Sequence, residues 1–241
     1  MSPVVLITGA GRGLGRAFAL AFAKNGFAVG VNYRADEKSA ASVVDEIEKS
    51  GAKALLLKAD VTSSKEVNAM VEKVDKKWGR IDVLVNNAGN ARNRTIAKMS
   101  DEEWRDVMSV NLDAPFYCSR AVLPIMRRQK QGCILNMASY IASRGARGAA
   151  NYAAAKAGLI NFTKTLAVEE GANNIRANAV LPGFHVTDLN KDVWPRIEKD
   201  VRAQHLLAEM PRREEMAAFV VSVAGMTTVS GQTFAFESRL L

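Results

Sequence analysis

Tyr152 and Lys156 stand four residues apart in Asn151-Tyr152-Ala153-Ala154-Ala155-Lys156, where a long apolar-periodic stretch begins. On a helix that spacing puts both side chains on one face, and three alanines leave the face uncrowded. A phenol beside an ammonium is a proton donor made usable near neutral pH. Free tyrosine titrates near ~10, and a fixed positive charge stabilises the phenolate and lowers that value. A general acid works best as its pKa approaches the working pH. Ser139 lies thirteen residues earlier, at the end of the strand-like run Ile134-Leu135-Asn136-Met137. It can hydrogen-bond the oxygen that Tyr152 protonates. Alone, a tyrosine and a lysine at this spacing are more often an ordinary helix pair, so the surrounding motifs must decide.

The first of these is a glycine turn, Gly9-Ala10-Gly11-Arg12-Gly13-Leu14-Gly15, between an apolar strand and a helical pattern. Glycines let the backbone approach a pyrophosphate, and a helix N-terminus favours its charge. In strand-turn-helix context, a merely tight connection is the minor reading. The end of the second strand sets cofactor choice. An acidic residue there binds the ribose 2′-hydroxyl of NAD, but the sequence offers Asn32-Tyr33-Arg34. Asp36 and Glu37 follow too late and start the next helix. Arg12 and Arg34 can both face a 2′-phosphate, which arginine suits. Together they favour NADP, as NADPH, over NAD.

The elements that must position these groups alternate regularly. Strands are expected at Val4–Thr8, Ala28–Asn32, Lys53–Lys58, Ile81–Asn86, Cys133–Met137, Arg176–Leu181 and Thr233–Phe236. Helical patterns fall between them and end at stops such as Asn25-Gly26 and Ser50-Gly51. Ser63-x-x-Glu66 and Ser100-x-x-Glu103 read as capping boxes. The second opens a long helix running toward Arg128, which Asn111 and Pro115 should kink. The alternation predicts an α/β fold, a doubly wound and mostly parallel sheet with helices on both faces. No linker or repeat divides the chain, so 1–241 is read as one domain.

Composition narrows the function classes. The 241 residues carry a formal charge of +8, with 48% hydrophobic and 24% charged residues. The basic residues are dispersed among acidic ones and no aromatic-basic motif accompanies them, so nucleic acid is not expected as a partner. No apolar run approaches the ~20 residues of a membrane span, and the N-terminus does not read as a signal peptide. Cys118 and Cys133 read as buried thiols. His185 stands in a loop without the company a metal site needs, so no metal is expected. A cytoplasmic location is expected.

The set of motifs resembles the short-chain dehydrogenase/reductase family over nearly the whole chain. Thr8-Gly9-x-x-x-Gly13-x-Gly15 matches its cofactor-phosphate loop. Asn86-Asn87-Ala88-Gly89 matches the motif that supports the sheet, with the backbone of Asn87, Ala88 and Gly89 at the cofactor. Asp60-Val61 resembles the pair that contacts adenine, although Asp60 reads equally well as a turn residue. Asn111 in Val110-Asn111-Leu112 matches the asparagine that holds a water linking the catalytic lysine to solvent. Pro182-Gly183-Phe184-His185-Val186-Thr187 matches the loop that holds the nicotinamide amide, which assigns Pro182, Gly183, Val186 and Thr187 to the cofactor. The resemblance implies a Rossmann-like fold, with Ser139, Tyr152, Lys156 and Asn111 as the catalytic set and Tyr152 and Lys156 also at the cofactor. The polar, irregular stretch at about 188–210 is then the substrate lid.

Within the family the chain is most similar to bacterial 3-oxoacyl-[acyl-carrier-protein] reductases, on Asp101-Glu102-Glu103-Trp104, the Asn151–Leu159 run and Pro182-Gly183-Phe184. That branch implies NADPH-dependent reduction of a 3-oxoacyl thioester carried on acyl carrier protein or CoA, by a homotetramer. Rival readings are an NAD-linked hydroxyacyl-CoA or other alcohol dehydrogenase, and a non-catalytic partner subunit. Two departures stand out. Asn173-Asn174 replaces a basic residue expected to help dock the carrier, although Arg127-Arg128-Lys130 is present at the other docking position. Glu237-Ser238-Arg239 stands where Asp-Gly-Gly usually follows the last strand.

Overall fold

Val4–Ile7 (β1) is an uninterrupted apolar run with all four residues buried. Strands covered on both faces read this way, because neither side of the pleat meets water. Val5 and Ile7 enter one core cluster and Val4 and Leu6 the other, as the two-residue period of a strand requires. The computed structural model describes residues 2–187, 191–192 and 194–240. β1 pairs in parallel with β2 (Ala28–Tyr33) and with β4 (Val83–Asn86), and β3 (Ala54–Lys58) pairs with β2. β5 (Gly132–Met137), β6 (Ile175–Leu181) and β7 (Thr233–Ala235) complete the sheet in the order β3-β2-β1-β4-β5-β6-β7. The strand order reverses between β1 and β4. In such sheets ligands bind in the crevice beyond the carboxyl ends of the strands at that point.

One face carries α1 (Gly13–Lys24), α2 (Glu37–Lys49) and α9 (Arg213–Gly225), whose Phe18, Phe22, Val43, Ile47 and Val220 are fully or almost fully buried. The other carries α3 (Ser64–Trp78), α5 (Ala114–Gln129) and α7 (Ala150–Glu170), with Val67, Val74, Cys118, Val122 and Leu166 in the core. This is the doubly wound parallel sheet expected from the alternation.

Three local expectations are corrected. The box at Ser63 is only half formed. Ser63 accepts the Glu66 N–H, but the Glu66 carboxylate accepts from Asp60 N at 2.8 Å and not from the cap residue. The box at Ser100 is complete. The long helix is divided into α4 (Asp101–Met108) and α5 by a π-helical turn over Ser109–Asp113. Asn111 lies inside that turn, while Pro115 falls in the first turn of α5, where a missing N–H does least harm. The stretch expected to be irregular contains α8 (Trp194–Ala203). Residues 188, 189, 190 and 193 of that expected lid lie outside the described residues.

A buried polar ladder crosses the middle of the sheet. Asn86 and Asn136 are register partners on β4 and β5. Asn86 Nδ2 donates to Asn136 Oδ1 at 2.8 Å and to Ser119 Oγ at 3.3 Å. Asn136 Nδ2 donates to Thr163 Oγ1, which in turn donates to the Leu159 carbonyl at 2.7 Å.

Candidate active site

Tyr152 and Lys156 lie on the first turns of α7. Ala149 gives that helix no side-chain cap. Asn151 fixes its start instead: its Oδ1 accepts the Tyr152 N–H at 2.8 Å, and its Nδ2 donates to the Arg92 and Glu103 carbonyls. Lys156 is 3% exposed, and its Nζ donates to the Met137 carbonyl at the end of β5 at 2.7 Å. That bond ties the helix to the strand that delivers Ser139. Burial draws the Lys156 pKa down to about 7. Burial also raises the Tyr152 phenol above its usual value, opposed by a hydrogen bond with Ser139 that lowers it. The phenol was expected to be lowered by its lysine. Desolvation is the largest cause here and no lowering by Lys156 accompanies it, since the loss of water around the half-buried phenol and the buried ammonium disfavours both charged forms.

Asn111 completes the group. Its Nδ2 donates to the Val107 carbonyl and to both the carbonyl and Oδ1 of Asn90. Its Oδ1 is buried without a partner. A methyl group on Gly89 would stand 3.0 Å from that oxygen and 4.0 Å from Lys156 Nζ. Gly89, Asn111 and Lys156 therefore converge on one point. A buried acceptor with no donor in the protein suits a water there. The π turn places Asn111 at this point, as such turns often do at functional sites. Asn90 and Asn151 were not foreseen. Nothing marks them in sequence beyond their places beside Gly89 and Tyr152.

The glycine turn has the geometry of a phosphate cradle. Gly9 and Gly13 sit at φ +62° and +56°, a region that non-glycine residues rarely adopt. A Cβ on Gly15 would lie 2.2 Å from the Gly9 carbonyl oxygen and 2.6 Å from Asn87 Nδ2. Only glycine lets helix and loop close to that distance. Gly11 serves a different purpose, since its Cβ would meet Ala40 at 3.2 Å. It lets the loop lie on α2. Arg12 is the N-cap of α1 and gives no side-chain cap, and the first turn, with Leu14, holds no acid. The N-terminal amides are thus not screened by a carboxylate. Thr8 Oγ1 accepts from the Asn87 and Ala88 N–H groups, and Asn87 Nδ2 donates back to the Thr8 and Gly9 carbonyls. The two loops at the switch point are bolted together. These features fit a dinucleotide.

At the end of β2 the expected cofactor residues divide. Asn32 is buried. Its Oδ1 accepts the Gly9 N–H, and its Nδ2 donates to the Leu57 and Ala59 carbonyls. It shapes the loop and leaves no side-chain group for a ribose. Tyr33 is 7% exposed, and burial and a hydrogen bond to Glu37 hold its phenol above the usual range. Arg34 is exposed and lies 3.8 Å from Asp60. Asp60 Oδ1 accepts from the N–H and Oγ1 of Thr62, so Asp60 is a turn residue here. Val61 is buried beside it. Asp36 caps α2 through Ser39, and that bonding, with a smaller contribution from Arg12, holds its carboxyl below the usual range. Both acids after β2 are engaged within the protein.

The loop after β6 closes the site. His185 Nε2 is hydrogen-bonded to the Pro182 carbonyl at 2.8 Å, and Arg213 donates to the Val186 carbonyl. Phe184 stacks on Trp194 of α8 at 5.0 Å. Thr187 stands above Gly13, whose Cβ would reach Thr187 Cγ2 at 3.8 Å. Gly13, Val186, Thr187, Lys191 and Arg213 line a cleft of ≈ 240 Å³. The phosphate loop and the expected nicotinamide loop thus face each other. No group of three or more His, Cys, Asp or Glu side chains suited to a metal is found among the described residues, and none of their helices is long and apolar enough to cross a membrane.

The basic group expected to dock a carrier lies on the surface, with Lys130 exposed and both arginines ion-paired yet more than half exposed. Arg127 is bonded to Glu170, whose side chain is 1% exposed, and Arg128 lies 2.7 Å from Asp75.

Residues 3–198 match the family described as short chain dehydrogenase. The 3-oxoacyl-[acyl-carrier-protein] reductase FabG of Staphylococcus aureus is 38% identical over 235 residues, 97% of this chain and 96% of its own length. FabG of Staphylococcus epidermidis is 37% identical with the same coverage. The 3-oxoacyl-[acyl-carrier-protein] reductase of Synechocystis sp. is 40% identical over 242 residues, 99% of this chain and 96% of its own.

Proposed function

The chain belongs to the short-chain dehydrogenase family, and on that premise we propose that it reduces the ketone of a 3-oxoacyl thioester to a secondary alcohol with NADPH. As a member it is an oxidoreductase acting between C=O and CH–OH with a nicotinamide cofactor. The observation that carries the proposal is the convergence of Tyr152 and Lys156 on the first turns of α7 with Asn111: Lys156 Nζ is anchored on the Met137 carbonyl two residues before Ser139, and the unpartnered Asn111 Oδ1 faces the same point beside Gly89.

The cofactor, when bound, supplies hydride to the carbonyl carbon. The loop amides around Gly9, Gly13 and Leu14 hold its pyrophosphate, and the Pro182–Thr187 loop holds its far end. Tyr152 donates its proton to the carbonyl oxygen. Ser139 accepts from or donates to the same pair of oxygens and orients them. Lys156, anchored on the Met137 carbonyl, exchanges a proton near neutral pH. Asn111 Oδ1 presents an acceptor at the point where a water can pass that proton on. NADPH is preferred over NADH because Arg34 is exposed at the end of β2 while Asp36 and Glu37 are engaged.

The thioester is carried on acyl carrier protein or CoA, and the surface keeps a reduced basic patch for such an anionic carrier. Arg127 and Arg128 are paired with Glu170 and Asp75 but stay more than half exposed, Lys130 is exposed, and Asn173-Asn174 offers no charge. A homotetramer is proposed from the outer face of α7, where Ala154 and Ala157 are exposed and Val168 is 84% exposed. Gly158 instead admits Leu112 of its own chain. The cytoplasm is the proposed location.

The test follows NADPH oxidation against acetoacetyl-CoA, the corresponding acyl-carrier thioester and several cyclic ketones. Turnover of the thioesters supports the proposal, and the ratio of the first two decides the carrier. Turnover of cyclic ketones alone would overturn it.

A further inference from the structure

The segment after β7 departs from the pattern of related reductases, and the structure folds it against three parts of the site at once. Phe236 N–H donates to the Leu181 carbonyl at 2.9 Å. A Cβ on Gly183 would meet the Phe236 carbonyl oxygen at 2.7 Å and Glu237 Cβ at 3.2 Å, so the segment lies directly on the loop after β6. Ser238 turns to the chain beyond α8. Its Oγ is hydrogen-bonded to His205 Nδ1 at 3.1 Å and accepts the Leu207 N–H, and its carbonyl accepts the Leu206 N–H. Arg239 is paired with Glu237, and the two side chains are 8% and 0% exposed. The Arg239 guanidinium lies over the Tyr140 ring, 4.0 Å from its centroid.

Tyr140 is the residue after Ser139 and the N-cap of the short helix α6 (Ile141–Arg144). Ser139 Oγ accepts the Ile141 N–H at 3.3 Å, so the serine and the tyrosine ring share one turn. Arg144 lies farther off the same ring, at 5.9 Å. Residues 143–147 are exposed, and the turn is otherwise held by short-range bonds, Ala142 N–H to the Ser139 carbonyl at 3.0 Å and Gly145 N–H to the Ile141 carbonyl at 2.8 Å, so Arg239 is the buried side chain that reaches it from the far end of the chain. A buried arginine stacked on an aromatic face fixes the ring by planarity as well as by charge.

We propose that Arg239 is a positioning residue for the reductase reaction, holding Tyr140 and through it the Ser139 end of the proton-donating pair, with Ser238 tying the same strap to the segment that follows α8. The proposal rests on the reductase reading of the site. The strap makes the serine's placement depend on the last residues of the chain. Glu237 anchors the guanidinium over the ring and compensates its charge.

The full-length protein carrying Arg239→Ala, Arg239→Lys or the pair Glu237→Gln/Arg239→Met tests this. Steady-state kcat and KM are measured with acetoacetyl-CoA and NADPH, NADPH affinity by fluorescence titration, and amide exchange over residues 138–146 by mass spectrometry. The expected result for Arg239→Ala is a kcat lower by roughly tenfold, the order set by one desolvated stack, with NADPH affinity unchanged and faster exchange at 139–144. Arg239→Lys keeps the charge but not the plane, and should recover little. If Arg239→Ala fails to fold because Glu237 is left unpaired, the double variant removes both charges and should show the same kcat loss. Wild-type kcat and exchange in the alanine or double variant would overturn the proposal. So would full rescue by lysine, or a kcat loss matched by an equal loss of NADPH affinity and folded fraction. Exchange needs no turnover, so it still decides the matter if the wild type reduces no thioester and the reductase reading falls.

Discussion

Replacing Lys156 by methionine should stabilise the fold while destroying activity. Lys156 falls from its ordinary 10.5 to about 7 because burial disfavours its charged form. At roughly 1.4 kcal/mol per tenfold change in proton affinity, that fall corresponds to about 5 kcal/mol of folding free energy below neutral pH. Methionine has a similar length and no charge to desolvate. It also gives up the 2.7 Å bond to the Met137 carbonyl, and a buried acceptor left without its donor costs ~1–3 kcal/mol. The balance at neutral pH is a gain of about 2 kcal/mol, worth about 5 °C in Tm for a chain of this size. The sign changes with pH. Between about 7 and 10.5 the unfolded chain binds more protons than the folded one, so wild-type stability rises through that window. The methionine variant gains nothing from this, and its advantage should vanish and then reverse by about pH 10. Urea unfolding without added nucleotide, followed by fluorescence of Trp78, Trp104 and Trp194 at fixed protein concentration, measures both forms. A stability difference independent of pH, or a variant less stable at neutral pH, would refute the argument.

Tyr152→Phe should reduce turnover to background while NADPH titration gives an unchanged affinity, because the hydroxyl serves the proton and other groups hold the nucleotide. Arg34→Ala should bring the NADPH to NADH ratio of kcat/KM down by roughly tenfold or more, the magnitude of one charge-assisted bond at 1.5–3 kcal/mol; an unchanged ratio would mean that Arg34 does not face the phosphate. Gly15→Ala places a carbon 2.2 Å from the Gly9 oxygen and should abolish nucleotide binding or folding, which titration and circular dichroism together distinguish. Light scattering at micromolar concentration should give four times the 26.1 kDa chain mass, and a monomer would remove the proposed association through α7.

The sheet was legible because its signals are local. Runs such as Val4–Ile7 and Val83–Val85 are apolar without alternation, and glycine or capping residues punctuate them. The pairing of Tyr152 with Lys156 was legible for the same reason, since four residues on a helix fix a shared face. What escaped depended on contacts between distant segments. Even within six residues, Glu66 leaves its own cap for the Asp60 N–H, because the Ser63 N–H is already bonded to the Asp60 carbonyl at 3.0 Å. Asn32 looks like a residue at a ribose and is instead consumed by the ends of β1 and β3, which no spacing reveals. The π turn at Ser109–Asp113 differs from an α-helix by one residue in register, too little to disturb the hydrophobic pattern. The direction of the Tyr152 shift was missed because sequence records the neighbouring charge and not the loss of water around both groups.

The asparagine ladder across β4 and β5 has a consequence for how the chain finds its fold. Parallel strands of apolar residues are nearly interchangeable along their length, and a slip by two residues would still bury valine and leucine. Asn86 and Asn136 are opposite each other only in the native alignment. The native alignment leaves only Asn86 Oδ1 of this pair without a partner, whereas a shifted one would break the amide–amide bond and strand more polar atoms in a dry interior, which is expensive. The ladder therefore acts as a proofreading device. It adds little to the stability of the correct pairing but raises the energy of every misaligned one, and β4 and β5 are the strands whose ends carry Gly89 and Ser139. An Asn86→Leu/Asn136→Leu chain would lose that discrimination first, as slower and more heterogeneous refolding, before losing the folded state itself.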